Sequence, residues 1–259
     1  MSRLAQAFNT GASPKLVAYV TAGDPDLPRS KAVLLALARA GADVIEVGVP
    51  FSDPIADGPA IQRAQERALA AGVTLSATLD LVADLRAEID TPIVLFTYVN
   101  PVLRMGMERF VSRAAAAGVD GVLLLDLPIE EAADAQAALL AKHIDPIFLV
   151  SPTTSDRRLE LAGQLGRGFL YAISRLGVTG ARDAVAASAA PLVARVRQSS
   201  SLPVALGFGI SCPEHVREVT GYADAAVVGS AIVQVIEESS RQGKDVAAEV
   251  ERFVRWLKS

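Results

Sequence analysis

The sequence predicts an α/β fold: a closed (β/α)8 barrel in a single domain over residues 1–259, with a short N-terminal helix. Three observations predict it. Eight short apolar runs alternate with longer amphipathic stretches. The turns that lead into those runs alternate in kind, giving a repeat roughly 60 residues long. The length of 259 residues suits one barrel of roughly 250.

In order, the runs are Leu16–Thr21, Asp43–Val49, Ile93–Tyr98, Gly121–Asp126, one centred on Phe148, Phe169–Ile173, Val204–Gly207 and Ala225–Gly229. Each has strand length, several are β-branched, and a helical pattern follows each. Pro28–Ala40 is the plainest helix. Pro28 suits a first turn, Val33, Leu34 and Leu37 share a face, and Gly41 can end it. Odd-numbered runs follow Pro14, Pro92, Pro146 and Pro203. Even-numbered runs follow glycine-bearing turns: Ala40–Asp43, Ala117–Asp120, Gly166–Gly168 and Gly221–Asp224. Alternating strand and helix imply a parallel sheet. The rival is an open doubly wound sheet, which more often has about five or six strands. The loop Ser174–Pro191 is long and rich in Gly and Ala, and reads either as a surface insertion or as a lid.

Composition narrows the function. Hydrophobic residues make up 51% and charged residues 21%, so disorder is excluded. A formal charge of -4 speaks against nucleic acid. Cys212 stands alone, and His143 and His215 lie far apart, so neither a disulfide nor a His/Cys zinc site is expected. No apolar run approaches the ~20 residues of a membrane span. The first residues lack the apolar core of a secretory signal, and a cytoplasmic setting is the expectation. None of Lys15, Lys31, Lys142, Lys244 and Lys258 falls at the carboxyl end of a run, which disfavours Schiff-base chemistry. His143 is expected at the amino end of the fifth strand, His215 on the surface, and Trp256 as a packing anchor of the last helix.

In such a barrel, reactive groups sit at the carboxyl ends of strands. Alternation puts Val44, Glu46 and Gly48 on the inner face of the second strand, with Ile45, Val47 and Val49 facing helices. Glu46 is then a buried acid beside a small residue that leaves room for a ligand, or a structural glutamate paired to a neighbour. The loop Pro50–Pro59 that follows is stiff and carries Asp53 and Asp57. Singly, Asp57 reads as a helix N-cap and Asp53 as a turn former. Together, Glu46 and Asp57 place two carboxyl groups at one barrel mouth, where they can divide acid and base duties. Gly207–Ser211 and Gly229–Ser230 end the last two strands, and each precedes a helical pattern. This is the usual phosphate cradle of such barrels.

At Ile45–Pro59, IEVGVPFSDPIADGP, the sequence resembles the tryptophan synthase α subunit family. Val20–Asp26, Tyr171–Arg182, Gly207–Ser211 and Gly229–Val233 carry the resemblance over nearly the whole chain, in the expected order. It implies a TIM barrel and a lyase of tryptophan biosynthesis that cleaves indole-3-glycerol phosphate to indole and glyceraldehyde 3-phosphate. It places the catalytic acid on Glu46 and the catalytic aspartate on Asp57. Phosphate-binding amides fall on Gly180, Gly209, Gly229 and Ser230, with Tyr171 nearby. Thr179 matches a lid threonine that meets the aspartate on closure. Tyr19, Phe96, Tyr98 and Phe208 complete the implied substrate contacts; Phe96 stands where an aliphatic residue is expected, and Tyr19 where some members carry phenylalanine.

No metal or organic cofactor is implied in this chain. The implied partner is a β subunit holding pyridoxal phosphate, in an α2β2 heterotetramer. Phe51, Asp53, Pro54, Asn100 and Pro128 gather at the ends of the second to fourth strands and are the expected docking residues, with Phe51 facing solvent. Two rivals remain. Another phosphate-binding barrel, such as an epimerase, would want metal ligands that two scattered histidines do not supply. A non-catalytic partner subunit is opposed by the presence of both Glu46 and Asp57.

Overall fold

The computed structural model describes residues 2–9, 14–173, 187–207 and 209–259. Its strands are β1 (Leu16–Thr21), β2 (Val44–Gly48), β3 (Ile93–Thr97), β4 (Gly121–Leu124), β5 (Asp145–Val150), β6 (Leu170–Ile173), β7 (Val204–Gly207) and β8 (Ala225–Val228). They pair in parallel and in chain order. β1 closes the circle against β8, with Leu16 opposite Ala226 and Ala18 opposite Val228. The closed barrel excludes the open doubly wound sheet.

Alternation divides each strand between two cores. Leu16, Ala18, Val20, Ile45, Val47 and Val49 pack outward under the helices. Val17, Val44, Val94, Leu123, Ile147, Phe169, Ala205, Ala225 and Val227 pack inward around Leu4. Leu4 belongs to the N-terminal helix α1 (Arg3–Asn9) and is fully buried. Phe8 of the same helix meets Phe169 with ring centroids 5.2 Å apart. The amino end of the barrel is therefore plugged by apolar groups, and a polar inward residue can lie only above that layer.

The helix α2 (Leu27–Arg39) follows its sequence signals. The Asp26 carboxylate accepts from the Arg29 N–H at 2.9 Å, and Pro28 sits in the first turn. Gly41 takes φ +85°, which lets the Ala42 N–H return to the Leu37 carbonyl at 3.0 Å. The repeat at the strand entries also has a physical cause. Asp43, Asp120 and Asp224 each accept, at 2.8 Å, from the first N–H of the preceding odd-numbered strand: Leu16, Ile93 and Val204. Each also meets a cation: Lys258, Arg86 and Arg197 respectively. The remaining entry, Gly166–Gly168, carries no aspartate.

Two expectations are corrected. The last helix, Val246–Leu257, is anchored by Val246, Val250, Val254 and Leu257. Trp256 lies off that stripe, is 47% exposed, and leans on Phe253 instead. His215 is buried in the helix Pro213–Thr220, and its Nδ1 accepts from the Ser211 N–H at 3.4 Å. The apolar face of that short helix turns it inward. His143 does precede β5. Among the described residues no single helix is long and apolar enough to cross a membrane.

The aspartate clamps set a first test. Removing Asp120 strands the half-buried Arg86 and the Ile93 N–H, so Asp120→Ala lowers unfolding stability by about 3 kcal/mol. Asp156 meets Arg195 as an exposed pair, and Asp156→Ala costs at most about 1 kcal/mol. Urea denaturation compares them, and equal losses contradict the clamp.

Candidate active site

Glu46 lies on β2 between Tyr19 of β1 and Val94 of β3 in register, one step above the apolar plug. It is fully buried, and neither carboxyl oxygen has a hydrogen-bond partner among the described residues. The alternative of a paired structural glutamate therefore fails. Burial alone pushes its pKa from 4.5 up to about 8. That difference corresponds to about 5 kcal/mol against the charged form, so the group is a neutral acid at pH 7.

The space beside it is used differently from the expectation. A side chain on Gly48 would collide with the Tyr19 hydroxyl, so that gap holds a tyrosine rather than standing open for a ligand. A Cβ on Gly207 would come within 2.9 Å of the Tyr171 hydroxyl, and one on Gly229 within 3.3 Å of the Tyr19 ring. Glycines at three strand ends thus make room for two tyrosines. Phe96 meets Tyr19 edge-on, with centroids 5.4 Å apart at 77°, and lies 6.5 Å from Tyr171. Burial first, and then the nearby Asp57 and Glu46, hold both tyrosine hydroxyls protonated.

Asp57 lies in the loop between β2 and the helix α3 (Pro59–Ala70) and is buried. It is not the N-cap: Gly58, which has no side chain to cap the helix, holds that position. The Asp57 Oδ2 instead accepts from the Tyr98 hydroxyl at 2.9 Å and from the Gln65 Nε2 at 2.7 Å. Burial pushes the Asp57 pKa up, and those two donors pull it back. Glu46 has no such donor, so the two carboxyl groups are driven toward different protonation states. The Tyr98 hydroxyl also accepts from the Ala56 N–H at 3.2 Å, and Gln62 Nε2 donates to the Asp57 carbonyl at 2.8 Å.

The neighbouring loop differs from expectation in one respect. Phe51 does not face solvent: it is half-buried, its ring 4.8 Å from that of Tyr98. Tyr98 must be positioned to reach Asp57, and Phe51 packs against it. Ile55 is the exposed apolar group there, at 82%. Asp53, Asn100 and Pro128 are exposed and Pro54 is half-buried. A hollow of about 250 Å³ lies between this loop and α3, lined by Phe51, Asp53, Pro54, Ile55, Gln62 and Leu69 among others.

At the other side of the mouth, Gly229 precedes the helix Ser230–Arg241, whose first N–H groups lack intrahelical partners and favour an anion. Gly209 adopts φ +82°, a conformation that suits glycine. Thr179, Gly180 and Phe208 lie outside the described residues, as do positions 174–186 of the expected lid. Among the described residues no three His, Cys, Asp or Glu side chains gather as a metal-binding group.

Sequence reasoning missed Gln65, Gln62 and Arg67. Gln65 could have been found as a polar residue on the face that buries Ile61, Ala64 and Ala68. Arg67 donates to both Asp24 oxygens at 2.7 and 2.9 Å and to Glu237 at 3.1 Å. It ties α3 to the helix Ser230–Arg241, which carries Glu237.

A closed parallel barrel with two buried carboxyl groups at the carboxyl end of one strand defines a (β/α)8-barrel enzyme. The family model described as tryptophan synthase alpha chain matches residues 5–259. The chain is 50% identical to the tryptophan synthase alpha chain of Solibacter usitatus over 94% of its own length and 91% of that protein. The solved Mycobacterium tuberculosis tryptophan synthase has a chain 38% identical, with a TM-score of 0.91, covering 99% of this chain and 97% of that one. A chain of the tryptophan synthase a2b2 complex from Pyrococcus furiosus is 40% identical, with a TM-score of 0.88, covering 94% and 97%. This protein belongs to the tryptophan synthase alpha chain family.

The state of Glu46 has a consequence for stability. Between pH 4.5 and about 8 the folded chain keeps a proton that the unfolded chain has lost, so Glu46 lowers stability as pH rises through that window. Glu46→Gln has no such proton. Its melting temperature relative to the wild type therefore rises steadily from about pH 5 to about pH 8. A difference that does not vary with pH would mean that Glu46 is ionised in the folded chain.

Proposed function

We propose that this chain catalyses the retro-aldol cleavage of indole-3-glycerol phosphate to indole and glyceraldehyde 3-phosphate. In this reading it is a single-domain α subunit acting in the cytoplasm. The observation that carries the proposal is the pair of buried carboxyl groups with unlike surroundings, Glu46 without a partner among the described residues and Asp57 with two donors.

Indole is a poor carbanion leaving group. Neutral Glu46 gives its proton to C3 of the indole ring, which creates a ring cation. Asp57, ionised, accepts a hydrogen bond from the ring N–H, which becomes more acidic as the cation forms. The glycerol hydroxyl then loses its proton to the Glu46 carboxylate. The C–C bond to C3 breaks, its electron pair restores the aromatic ring, and the carbon that bore the hydroxyl becomes the aldehyde. Glu46 ends with the proton it began with, so the cycle closes without a cofactor in this chain. The donors to Asp57 converge on Oδ2, which leaves Oδ1 for the ring N–H.

The remaining roles are those that the family resemblance implies. Tyr19, Phe96, Tyr98, Tyr171 and Phe208 bound the indole and glycerol portions. Gly180, Gly209, Gly229 and Ser230 supply backbone N–H groups to the phosphate, and Thr179 closes over Asp57. Asp53, Pro54, Asn100 and Pro128, with Phe51 behind them, form the face that meets a β subunit in an α2β2 assembly. That subunit uses pyridoxal phosphate to join indole to serine.

Indole release by the purified chain from indole-3-glycerol phosphate tests the proposal. Glu46→Gln and Asp57→Asn each lower turnover by about 100-fold or more while the chain stays folded. Turnover in the wild type falls on the alkaline side as Glu46 ionises near pH 8, and on the acid side as Asp57 is protonated. An active Glu46→Gln protein sinks the acid assignment, and no indole from the wild type sinks the function.

A further inference from the structure

We infer that Gln65 is a positioning residue of the reaction, acting through Asp57. The inference rests on the reading of Asp57 given above. Gln65 is 2% exposed, and a buried amide is costly unless its donor and acceptor are both satisfied. Both ends are used. Its Oε1 accepts from the Phe51 N–H at 2.9 Å, and its Nε2 donates to the Asp57 Oδ2 at 2.7 Å. The amide cannot be reversed, because a backbone N–H only donates and a carboxylate only accepts.

The rotation of the Asp57 carboxyl is thereby set by two donors from different elements. Gln65 comes from α3, and Tyr98 follows β3. Gln65 rides on a helix that is itself held: Arg67 is bound to Asp24 and Glu237, and Arg63 makes two contacts of 2.8 Å with Glu237. The same amide bonds the first residues of the loop and its last acid, so a shift of Phe51 is felt at Asp57.

The electrostatics point the same way. The titratable groups that feel the Asp57 charge are Tyr19 on β1, Tyr98 after β3 and Tyr171 on β6, and Glu46 on β2 acts on Tyr19 and Tyr171. Among the described residues no cation holds Asp57 ionised. Burial raises its pKa, and the hydrogen bonds from Tyr98 and Gln65 oppose that rise, with Gln65 making the shorter of the two.

Gln65→Met keeps the approximate shape and removes both bonds. In the full-length chain, kcat for indole release falls by about ten- to a hundredfold while KM stays within about threefold. The acid limb of the kcat–pH profile moves to higher pH, because the ionised Asp57 has lost a donor. A purely structural role for Gln65 does not move that limb. In an Asp57→Asn background the same substitution adds no further loss, since there is no carboxylate left to orient. Gln65→Asn keeps an uncharged amide too short to reach both the Phe51 N–H and Asp57, and serves, with a shift in the same direction, where the methionine variant does not fold.

A Gln65 variant with wild-type kcat and an unmoved acid limb, beside an inactive Asp57→Asn, overturns the inference and leaves the reading of Asp57 intact. An Asp57→Asn chain that turns over like the wild type overturns both.

Discussion

A carboxyl group removed from water without a partner gives up its charge more readily than it unfolds the protein around it. Glu46 is held in that condition from below. Leu4 and the inward residues of the eight strands fill the barrel beneath it with apolar atoms. The rings of Tyr19, Phe96 and Tyr171 pack on the layer at its own height. Their hydroxyls, where they have them, make no hydrogen bond to the acid. The barrel thus does two things with one arrangement: it packs a core and it keeps a proton available at neutral pH.

Asp57 shows the complementary use of the same mouth. It is nearly as buried, yet two donors meet one of its oxygens. The difference arises from the elements that carry the two residues. Glu46 stands on a strand, whose own backbone groups are spent on its neighbours in the barrel. Asp57 stands on a loop between two prolines, where side chains from α3 and from the end of β3 can reach it. Rigid strand and braced loop together produce two acids of unlike character within one site.

Much of the fold was legible because barrel strands obey a period of two and helices one of 3.6. β1 and β7 match their sequence boundaries. β2, β3, β4, β6 and β8 are one or two residues shorter than expected, because the ladder stops where the chain turns into or out of a loop. The inward face of β2 followed from Val44, Glu46 and Gly48 alone. The role of Gly48 did not, since the Tyr19 hydroxyl that fills its space lies 29 positions earlier in the chain. Phe51 and His215 were misplaced for the same reason: their burial is decided by partners distant in sequence or by the turn of a short helix. The burial of Gln65 was legible from its place among Ile61, Ala64 and Ala68, but its two partners were not, since they belong to a loop that only the folded chain brings beneath it.

In the folded chain Glu46 is an uncharged acid at neutral pH. Carbon-13 NMR of protein labelled at the glutamate carboxyl carbon, assigned by the resonance lost in Glu46→Gln, reads its protonation directly. Titration of the folded wild type should show one glutamate changing with a midpoint near 8, well apart from the surface glutamates. A Glu46 resonance that titrates with the others, near the ordinary value of about 4.3 for this side chain, would mean that burial does not keep its proton and that Glu46 is ionised at neutral pH.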